Sequence, residues 1–217
     1  MRKGAFVACC LALRTASLLA AGGESGEMPL GPGSIITRET LDAALLARAI
    51  FDETNRIRRG LELKEFLPSA EADAAAEIQA RLGSVTNPPS HTNPFPNVAT
   101  PVDRANWVGL RAAMVGENVA RTPLLNTGRK IAFEVRNTAD GRRTYHDSDT
   151  GRELPPHTYA SFAADLVARW MDSPGHRANI VNPKYRLLGI GLHLTRATTG
   201  ADMVYSVQLF VTPGKKR

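Results

Sequence analysis

The sequence predicts an α+β sandwich. Four stretches carry apolar residues at helical spacing, and the chain closes on two alternating runs joined by a Thr198-Thr199-Gly200 turn. A third alternation lies in a polar stretch before the last long helix. Helices around a small C-terminal antiparallel sheet define the class.

In the first predicted helix, from about Glu39 to Arg59, Ala43, Leu46, Ala47, Ile50 and Ile57 recur on one face, and Gly60 stops it. Ser69 is placed to cap the second, with Glu71 and Asp73 in the first turn where the helix dipole favours acids. Its stripe is narrow, Ala74, Ile78 and Leu82, and small alanines predict close packing against a neighbour. A polar, proline-rich loop from Asn87 to Thr100 carries His91. Thr100 and Pro101 then start a third helix, expected to reach about Ala113 and to leave Glu117 near its end.

The fourth helix begins near Thr158 and buries Tyr159, Phe162, Leu166 and Trp170. Pro174-Gly175 ends it, and His176 opens the next short turn of helix. Leu188, Ile190, Leu192 and Leu194 alternate, as do Met203, Tyr205, Val207 and Leu209, which makes an antiparallel hairpin. Ile131, Phe133 and Val135, then Ala139-Asp140-Gly141, then Arg143 and Tyr145 make a second hairpin on the surface.

Arg2 and Lys3, the short apolar run Ala5 to Leu13 and small residues at Ala20 to Gly23 form the pattern of a secretory signal peptide. The run is too short for a membrane span. The expected organisation is a leader over 1–23, a linker over 24–38, one domain over 39–214 with an insertion over 121–157, and a basic tail over 215–217. The destination is the periplasm or the exterior. Both cysteines, Cys9 and Cys10, lie in the leader, so the mature chain has no disulfide and no thiol chemistry. Of the formal charge of +6, the leader holds three, the tail Lys215-Lys216-Arg217 another three, and Glu24 and Glu27 subtract two, leaving about +2 on the body. No basic stripe stands out, which excludes a nucleic-acid interface.

There is no GxSxG elbow, no HExxH and no P-loop, and Gly189-Ile190-Gly191 lacks the third glycine of a dinucleotide loop. What remains is a set of polar residues in turns: His91, Glu117 and His176. The block Trp170-Met171-Asp172-Ser173-Pro174-Gly175-His176-Arg177-Ala178-Asn179-Ile180 resembles the signature of bacterial members of the CAP superfamily (cysteine-rich secretory proteins, antigen 5 and pathogenesis-related 1). Ser90-His91-Thr92, Gly116-Glu117-Asn118-Val119, Gly189-Ile190-Gly191 and Tyr205-Ser206-Val207-Gln208-Leu209-Phe210 follow in the family's order, and Asn55 and Arg58 loosely match its first helix.

The resemblance implies a three-layer α-β-α sandwich with a central antiparallel sheet, here with an inserted β-hairpin. It also implies a cleft holding two histidines and two acids. His91, Glu117 and His176 match. The second acid does not: many relatives have Glu where this chain has Ser173, with Asp172 beside it.

Two imidazoles, His91 and His176, can bind zinc or another divalent metal weakly, with a carboxylate as ligand or orienting group. Three functions compete. One is an exported binding module for a lipid, a cell-envelope component or a partner protein. The second is a metal-dependent hydrolase with Glu117 as general base. The third is a structural domain without ligand. Binding is the reading adopted, and the ligand and oligomeric state are left open. Asn118, Asn179, Trp170 and Phe162 are expected to be structural, and Arg177, His146, His157 and His193 to be surface residues.

Overall fold

The computed structural model describes residues 30–86, 88–128, 132–196 and 200–214. The leader over 1–23, residues 24–29 of the linker, Ile131, the Thr198-Thr199 turn and the basic tail fall outside the described residues.

Among the described residues, four of the five α-helices are capped by the side chains that sequence chemistry selects. α1 (Ala43–Gly60) starts behind Asp42, whose carboxylate accepts from the Leu45 amide. Its start is later than Glu39 because the Tyr159 hydroxyl donates to the Thr40 carbonyl and accepts the Asp42 amide, each at 2.8 Å. α2 (Ala70–Gly83) is capped by Ser69. α3 (Pro101–Trp107) has a capping box between Thr100 and Asp103, and α4 (Tyr159–Asp172) one between Thr158 and Ser161. α5 (Pro174–Ile180) follows Ser173 at once, with proline in its first turn.

α3 is shorter than expected. Gly109 stands at φ +75, the left-handed conformation that ends helices, and the chain re-emerges as strand.

The central sheet contains β1 (Leu67–Pro68), β2 (Ala112–Pro123), β5 (Leu187–Arg196) and β6 (Asp202–Pro213), in the order β1-β5-β6-β2. β1 is parallel to β5; the other pairings are antiparallel. A separate hairpin pairs β3 (Phe133–Asn137) with β4 (Arg143–Asp147). Because β2 continues to Pro123, with Arg121 opposite Tyr205, the first residues assigned to the insertion belong to the central sheet.

Side chains alternate across β6. Val204 and Phe210 join a core with Leu46, Ile50, Leu166 and Trp170 from α1 and α4. Tyr205, Val207 and Leu209 join another with Ala72, Ala76 and Ala105 from α2 and α3. The result is a three-layer α-β-α sandwich.

α2 lies directly on β5. A Cβ on Gly189 would come within 2.1 Å of the Ala72 backbone, and one on Gly191 within 2.2 Å of Ala76. Alongside, Asp73 Oδ1 accepts the Ile190 amide at 2.8 Å and Glu77 Oε2 accepts the Leu192 amide at 3.3 Å. Four residues of helix rise about 6.0 Å and two residues of strand about 6.7 Å, so both contacts repeat in step.

Further expectations need correction. Residues 31–38 were read as linker, yet Ile36 is fully buried and its amide donates to the His157 carbonyl, because an apolar side chain there completes the α1–α4 core. His157, expected on the surface, is 1% exposed. Its backbone also donates to Leu124, and its ring meets Phe162 edge-on. Arg177 is exposed as expected, whereas His146 and His193 are half-buried.

Candidate functional site

β2 is the edge strand opposite β1, and its pleat sends Glu117 to one face and Asn118 to the other. Glu117 was expected near a helix end and instead stands in mid-strand, opposite Leu209.

On the α3 face the Glu117 side chain is 1% exposed and engaged at both oxygens. Oε1 meets His91 Nδ1 at 3.0 Å, and Oε2 accepts from Arg104 Nη2 at 2.5 Å. Arg104 is fully buried; its Nη1 donates to the Val98 and Ala99 carbonyls and its Nη2 to the His91 carbonyl. The His91 loop is fixed from below as well. Gln79 Nε2 donates to the Ser90 carbonyl at 2.6 Å, the Tyr205 hydroxyl donates to the same carbonyl, and Asn93 bridges Gln79 and Val98.

On the α5 face a chain of neutral amides begins at α1. Thr54 donates to the Ile50 carbonyl and accepts from Gln208 Nε2; Asn118 Nδ2 donates to Gln208 Oε1 and to the His176 carbonyl. Asn179 Nδ2 donates to Asn118 Oδ1 and to the Glu117 carbonyl. Gly116 lets this layer approach, since a Cβ there would stand 2.3 Å from the Tyr185 hydroxyl oxygen and 2.8 Å from Asn179 Oδ1. Asn118 and Asn179 thus hold backbone, as their sequence context predicts, and Trp170 and Phe162 are core.

The two imidazoles are shifted in opposite directions. The hydrogen bond to Glu117 raises His91 above the ordinary imidazole value, against partial burial and the Arg104 charge. Burial lowers His176, and the charge on His91 adds to that effect, so the two rings sense each other.

Ser173 joins α4 to α5, without a side-chain cap bond. Asp172 lines a different surface, a groove between α1 and α4 with Glu53, Arg56 and Ile57. Among the described residues no three histidine, cysteine, aspartate or glutamate side chains converge as a metal-binding group. Arg104, Gln79 and Tyr205 were not foreseen as site residues. Only Tyr205 lies in a motif block that could have pointed to it.

Fold and site together define a three-layer sandwich whose edge strand β2 holds the carboxylate bonded to His91 on one face and the amide bonded to the His176 backbone on the other. The family profile of the cysteine-rich secretory proteins, the CAP family, matches residues 51–210, and the chain belongs to that family. Among solved structures, an extracellular SCP-domain protein from Bacillus anthracis superposes with a TM-score of 0.51 at 20% identity, over 76% of this chain and 40% of that one. The chain therefore spans about two fifths of that protein. An outer surface protein of Borrelia burgdorferi gives a TM-score of 0.51 at 17% identity, over 80% of this chain and 97% of that one. A search of curated protein sequences returns no match. Among the described residues no helix is long and apolar enough to cross a membrane.

Proposed function

We propose that the chain is an exported binding module whose His91–His176 cleft recognises a cell-envelope component or a lipid and takes up a divalent cation such as zinc weakly. The Arg2–Lys3 leader pattern supports export, as do the extracellular and outer-surface settings named for the two structural neighbours.

The contact between His91 Nδ1 and Glu117 carries the binding reading. A carboxylate on Nδ1 fixes the ring and leaves the Nε2 lone pair for a ligand. His176, whose proton affinity burial lowers, is the second donor. These residues fit a cation with two protein donors, leaving the remaining positions of a tetrahedral ion to water or to the recognised molecule. Bound there, a cation would supply Lewis acidity and a bridge to an anionic group.

The hydrolase reading is less well supported. A general base needs an oxygen open to water, and Glu117 has Oε1 on His91 and Oε2 on Arg104.

Calorimetric titration of Zn²⁺ into the purified protein tests the proposal. Saturable binding should vanish in the His91→Ala, His176→Ala double variant. Its affinity should rise with pH above the ordinary imidazole value of about 6.5, because the raised His91 must lose a proton first. Absence of binding near neutral pH would sink the metal element and leave direct ligand recognition to be screened with envelope fractions and lipids.

A further inference from the structure

The opposite edge of the sheet carries a second surface that the histidine cleft does not use. β1 covers β5 only at Leu187 and Leu188. Beyond them, among the described residues, the outer edge of β5 has no strand beside it. The amides of Ile190 and Leu192 are already spent on Asp73 and Glu77 of α2. In an antiparallel strand a residue's N–H and C=O point to the same side, so the Ile190 and Leu192 carbonyls also face outward.

This edge therefore presents acceptors and negative charge, without free donors at these two positions. An added strand requires both donors and acceptors, so pairing is blocked. The complementary chemistry is a cationic donor.

The surroundings suit such a group on an alkyl stem. Ala44, Ala47 and Phe51 of α1 wall a groove of about 380 Å³ that runs from Pro68 to Asp73 and Ile190. A contiguous hollow continues it along Ala74, Glu77 and Leu192. Burial raises the Asp73 carboxyl, with the Ile190 amide pulling the other way. That amide is the carboxylate's one described partner. Arg48 shares the groove but is paired with Asp52, and Glu77 Oε1 is taken by Arg81.

We propose that this groove docks an extended basic peptide segment, the stem of one lysine or arginine lying along Ala44, Ala47 and Phe51 and its head on Asp73. A second basic residue two positions on advances about 6.7 Å, which matches the rise of about 6.0 Å from Asp73 to Glu77.

The test is calorimetric binding of the full chain to a blocked octapeptide alternating arginine and alanine, beside the same peptide with neutral citrulline for arginine. The arginine peptide should bind saturably, and the citrulline peptide about tenfold more weakly or worse. Asp73→Asn, which keeps an oxygen for the Ile190 amide, should cost about the same factor, as should Ala47→Leu, which fills the groove. Thermal unfolding of both variants should confirm that they remain folded. The His91→Ala, His176→Ala variant should bind the peptide undiminished, which separates this surface from the metal-binding cleft. Lack of binding by the parent, equal binding of the citrulline peptide, or indifference to Asp73→Asn would overturn the proposal.

Discussion

The two faces of β2 hold their histidines by opposite means. On one, a buried ion pair grips the His91 ring itself through Glu117. On the other, neutral amides grip only the His176 backbone, and the ring is governed by burial. Glu117 thus raises one imidazole, while burial and the charge on His91 lower the other. The pleat makes the pair asymmetric because it gives one face a buried carboxylate and the other a neutral amide.

The ion-pair face should be the costlier to break. Arg104→Met strands a buried carboxylate and should cost about 3–5 kcal/mol in urea unfolding. A loss well under that would mean that Glu117 is solvated in solution.

Asn118→Ala removes the acceptor of Asn179 and the donor of Gln208, and about 1–3 kcal/mol is expected from the same measurement. The proton resonances of the His91 ring should titrate as before, because this network bonds neither that ring nor the Glu117 carboxylate. A shift there would join the two faces and undo the comparison.

Glu117→Gln should bring His91 down toward the ordinary imidazole value by NMR titration, since the hydrogen bond to the carboxylate is the main cause of the rise. An unmoved His91 would sink the assignment of Glu117 as its orienting partner.

The smallest effect lies in the pH dependence of stability. A raised His91 contributes fully below the unfolded value of about 6.5 and loses that contribution as pH rises through its folded value. A lowered His176 has the opposite sign: its contribution is present above about 6.5 and is lost as pH falls through its folded value. His91→Gln should therefore flatten the alkaline side of the stability profile, and His176→Gln the acid side. Both changes should be slight, as the His91 side chain is 53% exposed.

Much of this was legible in the sequence. Ser69, Thr100 and Thr158 mark helix starts by their side-chain oxygens, and the alternation in β5 and β6 is plain because one face of each is apolar. The Ser173-Pro174-Gly175-His176 turn announced itself. β2 did not, and the reason is physical. Both its faces carry polar networks, so Glu117, Asn118 and Arg121 erase the period of two that would identify a strand. Gly109 was the available signal for the early end of α3. Arg104 left none, since nothing in Pro101-Val102-Asp103-Arg104 distinguishes a buried arginine from a solvated one. His157 was hidden similarly, by backbone pairings made with distant segments.

Gly189 and Gly191 have a mechanical consequence. With no side chains between them and the Ala72 and Ala76 backbone, α2 lies in direct contact with β5, and a side chain added there forces the helix away. Gln79, one turn further along that helix, grips the carbonyl just before His91. The position of the His91 loop thus depends on two glycines of β5, and a methyl group added to either should displace Gln79 and the carbonyl it holds.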